Sequence, residues 1–180
     1  MDSLRLRATG AKLPFHVVLV EPEIPPNTGS IARLCGATRS VLHLVGRLGF
    51  RIDDHAVRRA GLDYWHLVDV RQHVDFSQFL HAYERENEAI RGDAPPGALH
   101  LFTAHAKTSY LDSAFSPGDA LVFGKESVGL PKELVLAHEG RARGIPTVGA
   151  VRSLNLASAA SIVVYEALRQ VGGLTETRME

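Results

Sequence analysis

Short apolar runs alternate with helix-patterned stretches from residue 15 onward, and this alternation limits the chain to a small set of folds. FHVVLV (15–20) has the length and continuous apolarity of a buried strand, closed by Glu21-Pro22. VLHLV (41–45), WHLVDV (65–70), ALHLFTA (98–104), DALVFG (119–124) and RARGIP (141–146) read as further strands. Helical patterns fill the gaps at 28–38, 53–61, 76–89 and 131–138, and LNLASAASIVVYEALRQV (154–171) closes the series. In the third of these, Phe76, Phe79, Leu80 and Tyr83 share one face. Strands separated by helices pair side by side in parallel, so the expected fold class is α/β, with a largely parallel sheet and helices on both faces. No linker composition divides residues 15–180, which read as one domain, and residues 1–14 read as a loose tail.

The 180 residues carry a formal net charge of zero, which argues against a non-specific, strongly basic nucleic-acid binder. It leaves RNA open, because sixteen of the twenty cationic residues are arginine, the side chain suited to bidentate phosphate contacts. Cys35 is the sole cysteine, so an internal disulfide and a cysteine-based zinc site are excluded, and a reducing compartment is the simplest reading. No apolar run approaches the ~18 residues of a membrane span, and the N-terminus lacks an apolar signal core. A cytoplasmic protein is expected. The histidines, His66 with His73 and His100 with His105 among them, join no cysteine or carboxylate at ligand spacing and suggest no metal.

Three segments stand out chemically. In VEPEIPPNTGSIARLCGAT (20–38), Pro22, Pro25 and Pro26 stiffen the exit from the first strand, where open α/β sheets hold ligands. Asn27 or Thr28 is expected to cap the following helix, and Gly29 and Arg33, four apart, share a face of it. In LVFGKESVGLP (121–131), glycines bracket a loop with Glu126 at its tip. Asp119 replaces the first glycine of a phosphate-binding P-loop, and no G-x-G-x-x-G follows a strand, so the common nucleotide loops are not supported. In GIPTVGAVRSLNLASAAS (144–161), Ser153 and Asn155 are candidate caps, and the small residues 157–161 permit close approach of other backbone or a second subunit.

Together these segments resemble the SPOUT-class RNA 2′-O-methyltransferases. The carrying residues are Asn27-x-Gly29-x-x-x-Arg33, Phe123-Gly124-x-Glu126-x-x-Gly129-Leu130-Pro131, and Ile145-Pro146 with Ser153-Leu154-Asn155-Leu156. VEPEIPPNTGSIARLC, RRAGLDYW and SIVVYEALRQ are similar to the small single-domain members that methylate the ribose of the tRNA wobble nucleotide, cytidine or uridine. The resemblance implies a C-terminal deep trefoil knot, which topology rules alone would not suggest. It also implies a homodimer, a tRNA substrate and S-adenosyl-L-methionine (SAM) as methyl donor. On this basis Arg33, Glu126, Ser153 and Asn155 are the expected catalytic group, and Ala104, Gly124, Ile145, Ser153 and Leu154 the cofactor contacts. Asn27, Arg47, Arg51, Arg58 and Arg59 are candidates for RNA contact. A related enzyme acting on another tRNA or rRNA position, and a catalytically silent knotted RNA-binding module, remain alternatives at this level.

Overall fold

Alternate residues of each central strand face opposite sides, and both sides are apolar, so the sheet must be covered twice. The computed structural model describes residues 5–50, 62–91, 97–175 and 177–179. Strands β2 (His16–Val20), β3 (Val41–Val45), β4 (Val70–His73), β5 (Leu99–Phe102), β6 (Ala120–Phe123) and β7 (Ala142–Arg143) form one sheet in the order β4-β3-β2-β6-β5-β7. Every pairing in it is parallel. Val17, Leu19, Leu42, Leu44, Leu121 and Phe123 pack under α1 (Pro25–Thr38) and the last helix, α4 (Leu156–Gln170). Val18, Val20, Val45, Leu101 and Val122 pack on the other side, under α2 (Phe76–Arg91) and α3 (Lys132–Ala137). Fully burying each such side chain contributes about 1.5–3 kcal/mol before conformational entropy is subtracted.

Chain order reverses between β2 and β6. From β2 the chain moves outward to β3 and β4, while β5, β6 and β7 lie on the other side. The carboxyl ends of β2 and β6 therefore open the crevice where doubly wound sheets bind ligands.

Four local expectations change. Residues 62–67 form a 3-10 helix, and the strand follows at Val70–His73. This is an edge strand, so polar residues can occupy it, and Arg71 pairs there with Asp69 and with Glu86 of α2. Helix α1 begins at Pro25, with extended Ile24 as its cap residue, rather than at Asn27 or Thr28. Proline suits the first helical turn because that turn has no partner for its N–H. The strand expected over 141–146 shrinks to Ala142–Arg143, continued by a single bridge between Ser109 and Gly144. Finally, the stretch expected to be a loose tail contains β1 (Leu6–Ala8), which pairs antiparallel with β8 (Thr177–Met179). The expected helix over 53–61 lies outside the described residues.

Candidate functional site

The site is built where β2 and β6 end. Glu21 leaves β2 with a left-handed φ of +50°, unusual for a residue with a side chain. Its N–H donates to Val45 O (2.8 Å), and its carboxylate meets Lys125 Nζ at 2.7 Å, a contact that raises the lysine pKa. Glu23 reaches the same loop, accepting from Ser127 N–H at 3.0 Å, and its hydrogen bonds to Ser127 hold its carboxyl below the usual range.

Helix α1 poses a capping problem. Ile24 has no polar side chain, and no acid lies in the first turn. The solution comes from the loop after β6. The Glu126 carboxylate accepts from the N–H groups of Glu23 (2.8 Å) and Ile24 (3.3 Å) and from Asn27 Nδ2 (2.9 Å). A negative charge thus sits at the positive end of the α1 dipole. Gly124 makes this fold of the loop possible, since a Cβ there would lie 2.1 Å from Gly129 C and Leu130 N.

Asn155 caps α4, its Oδ1 accepting from the N–H groups of Ala157 (2.9 Å) and Ser158 (3.3 Å). Its Nδ2 donates to Asn27 Oδ1 at 2.9 Å. The network sets the orientation of both amides. A carboxylate only accepts, so Asn27 must turn its NH₂ to Glu126, which leaves its oxygen for Asn155. Residues 99 and 128 positions beyond Asn27 are joined to it in one chain of bonds, Glu126–Asn27–Asn155.

Asn27, expected to contact RNA, is 8% exposed, and both ends of its amide are engaged inside the protein. Arg33 is exposed on α1, six residues beyond Asn27, or about 9 Å along the axis. Ser153 and Leu154 are exposed immediately before the α4 cap, and Arg47 is exposed just after β3. Arg51, Arg58 and Arg59 lie outside the described residues.

The expected cofactor residues occupy neighbouring strand ends. Ala104 follows β5, Gly124 follows β6 and Ile145 follows β7. Thr103 N–H donates to Arg143 O (3.0 Å), Gly144 N–H to Thr108 O (2.9 Å) and Tyr110 N–H to Gly144 O (3.0 Å), so the first and last of these loops run side by side. Phe102 and Phe123, stacked with centroids 4.9 Å apart, lie in the core just before them. Val148, Val151 and Leu154 are exposed on the loop leading to α4. Peptide groups beside apolar side chains suit a purine nucleoside, which needs both edge hydrogen bonds and apolar contact. Among the described residues no group of three or more His, Cys, Asp or Glu is placed to hold a metal ion.

Comparison with known proteins adds an independent line. A family model described as the SpoU rRNA methylase family matches residues 14–165. A Burkholderia pseudomallei protein named tRNA (cytidine(34)-2′-O)-methyltransferase is 46% identical over 161 residues, covering 88% of this chain and 96% of that one. A solved structure concerned with 2-OH methylation of C/U34 on tRNA superposes with a TM-score of 0.78 at 42% identity, covering 89% of this chain and 98% of the other. An rRNA methyltransferase from Sinorhizobium meliloti, solved with AdoMet bound, superposes at 0.70 with 26% identity, covering 87% of this chain and 56% of the other.

Proposed function

The chain belongs to the SpoU rRNA methylase family, and on that premise we propose that it is a SAM-dependent methyltransferase acting on the ribose 2′-hydroxyl of the tRNA wobble nucleotide, cytidine or uridine. The single observation that carries the reading is the Glu126–Asn27–Asn155 chain, which brings the three segments of the family resemblance to one end of the sheet.

When bound, SAM supplies a methyl group on a sulfonium, open to in-line attack by an oxygen. Ala104, Gly124, Ile145, Ser153 and Leu154 would hold it through backbone and hydroxyl groups. The chain's own task is to align the ribose and stabilise charge developing on its 2′-oxygen. Arg33 suits the second part. Arginine stays protonated in proteins, so it serves as a forked clamp on phosphate and alkoxide rather than as a base. Glu126 and Asn155 act one step back, as positioning residues. Glu126 holds the start of α1, and hence the helix that carries Arg33, while Asn155 ties the segment bearing Ser153 to the same helix.

The resemblance extends the proposal to a trefoil knot in the C-terminal segment and to a homodimer with the site beside the subunit interface. The small residues 157–161 in the first turns of α4, which permit close approach of other backbone, support the first. The exposed Ile162 and Tyr165 on α4 support the second, which sedimentation would check. No helix among the described residues is long and apolar enough to cross a membrane, in keeping with the cytoplasmic location we infer for a tRNA-modifying enzyme.

The decisive experiment incubates unmodified tRNA with methyl-labelled SAM and maps the label. Label on the wobble ribose is expected. Label on another nucleotide would move the activity to a different RNA site, and SAM binding without transfer to any RNA would overturn the enzymatic reading.

A further inference from the structure

We propose that the ribbon formed by the two ends of the chain is a phosphate-binding arm that grips the substrate RNA away from the reacting ribose, an inference that rests on the RNA reading above. All six residues of β1 and β8 are exposed. An isolated two-stranded ribbon is at best marginal in water, so this one gains nothing from a core of its own. Its base is tied to the body by Gly10 N–H donating to Gly173 O at 2.9 Å, and a Cβ on Gly173 would lie 3.0 Å from Gly10 C.

What the ribbon displays is cation. The register sets Arg7 directly opposite Arg178, and the exposed Arg5 immediately precedes β1. The only charged residues between 5 and 12 are Arg5, Arg7 and Lys12, all cationic and all exposed, in a chain whose net charge is zero. Glu176 and Glu180 neighbour Arg178 in sequence, so the N-terminal strand is the cationic half. The opposite face shows Leu6 and Met179 across from each other, 69% and 58% exposed.

The position fits an accessory contact. Helix α4 starts at the site, at Asn155, and its fifteen residues, about 22 Å of helix, lead to the turn that feeds the ribbon. Both strands lie outside the matched family region, residues 14–165. An RNA extending one or two tens of ångströms from the target nucleotide offers phosphates at that distance.

The test measures tRNA affinity by fluorescence anisotropy across a KCl series. Three forms are compared: the unaltered protein, Arg5→Ala with Arg7→Ala, and Arg5→Lys with Arg7→Lys. The alanine pair should weaken binding about tenfold and lower the magnitude of the log–log salt slope by roughly 1.4–1.8. The lysine pair, which keeps both charges, should retain the slope, and methyl transfer at saturating tRNA should stay at the unaltered level. An unchanged affinity and slope in the alanine pair overturns the arm. If Leu6→Ser with Met179→Ser then halves the sedimenting mass, the face belongs to a second copy of the chain. Failure of the unaltered protein to transfer methyl would count against the enzymatic reading alone, because the binding slope still decides the arm.

Discussion

Two chains of side-chain hydrogen bonds among the described residues differ in nearly every respect. One is Glu126–Asn27–Asn155 at the carboxyl edge of the sheet. The other runs through the sheet, where His16 Nδ1 meets His43 Nε2 and His43 Nδ1 meets His73 Nε2, both at 2.9 Å, across β2, β3 and β4. Phe79 and Tyr83 of α2 lie edge-on against these imidazoles. The edge chain begins on a carboxylate and ends on a helix N-terminus, so each amide has a forced orientation. Within the ladder, a neutral imidazole has one N–H, so each ring that donates at one nitrogen accepts at the other, and no charged group enters these two bonds. A chain with one allowed state can hold reacting groups in place. A chain of neutral rings inside the sheet, packed under Phe79 and Tyr83, is a means of burying polar rings, and its contribution is to packing.

The largest effect should come from disturbing what the edge chain holds. Arg33→Lys keeps a positive charge and loses the planar fork. If the α1 anchor exists to present that fork, turnover should fall by about 10²–10³, the loss expected when one preorganised charge-stabilising group is removed. Single-turnover kinetics on tRNA would measure it. Near-normal turnover would mean that a point charge suffices and that the positioning carries no catalytic meaning.

The ladder should break next, with acid. In the unfolded chain His43 takes a proton below its ordinary value of 6.5, whereas in the fold burial, helped by His16, His73 and Arg71, lowers its pKa to about 2. Burial and Arg71 lower the His73 pKa as well. Below pH 6.5 the unfolded state binds the extra proton, so stability present above that pH is lost as pH falls. His43 alone should remove about 2 kcal/mol between pH 6.5 and 5, at about 1.4 kcal/mol per unit. Urea titrations at both pH values would show it, and His43→Leu should flatten the difference by that amount. An equally steep loss in the variant would put the acid sensitivity elsewhere.

The same contrast shows what could be read from residues alone. The central strands announced themselves because both their faces are buried, and 41–45 was legible to the residue. Edge strand β4 was misplaced because its polar residues, Arg71 to His73, are what an edge permits and what an apolar-run criterion rejects. The three site segments were legible as chemistry, but their joining was not. Pro25 and Pro26 read as a rigid approach to a helix, whereas they are its first turn, and that places Asn27 inside the helix, facing Glu126 and Asn155. The ladder was invisible in principle. Its members lie 27 and 30 residues apart on separate strands, and only the register makes them neighbours. The ribbon is hidden for a similar reason, since three exposed residues at each terminus carry no pattern that pairs them.

The smallest expected effect is the most discriminating, because Asn155 does two jobs with opposite ends of one amide. Its oxygen caps α4, and its nitrogen reaches Asn27. Asn155→Ala removes both and should cost about 1 kcal/mol of stability from the cap. Asn155→Asp keeps the acceptor, and aspartate caps as well as asparagine and favours a helix N-terminus. It has no donor for Asn27 Oδ1, so only the link between the loops is cut. The cap is kept, and stability should fall by about 1 kcal/mol from the acceptor left unpaired on Asn27, while methyl transfer falls. If transfer survives in the aspartate variant and drops only with alanine, the cap alone matters. The edge chain would then resemble the ladder, a way of satisfying polar groups with no part in positioning the site.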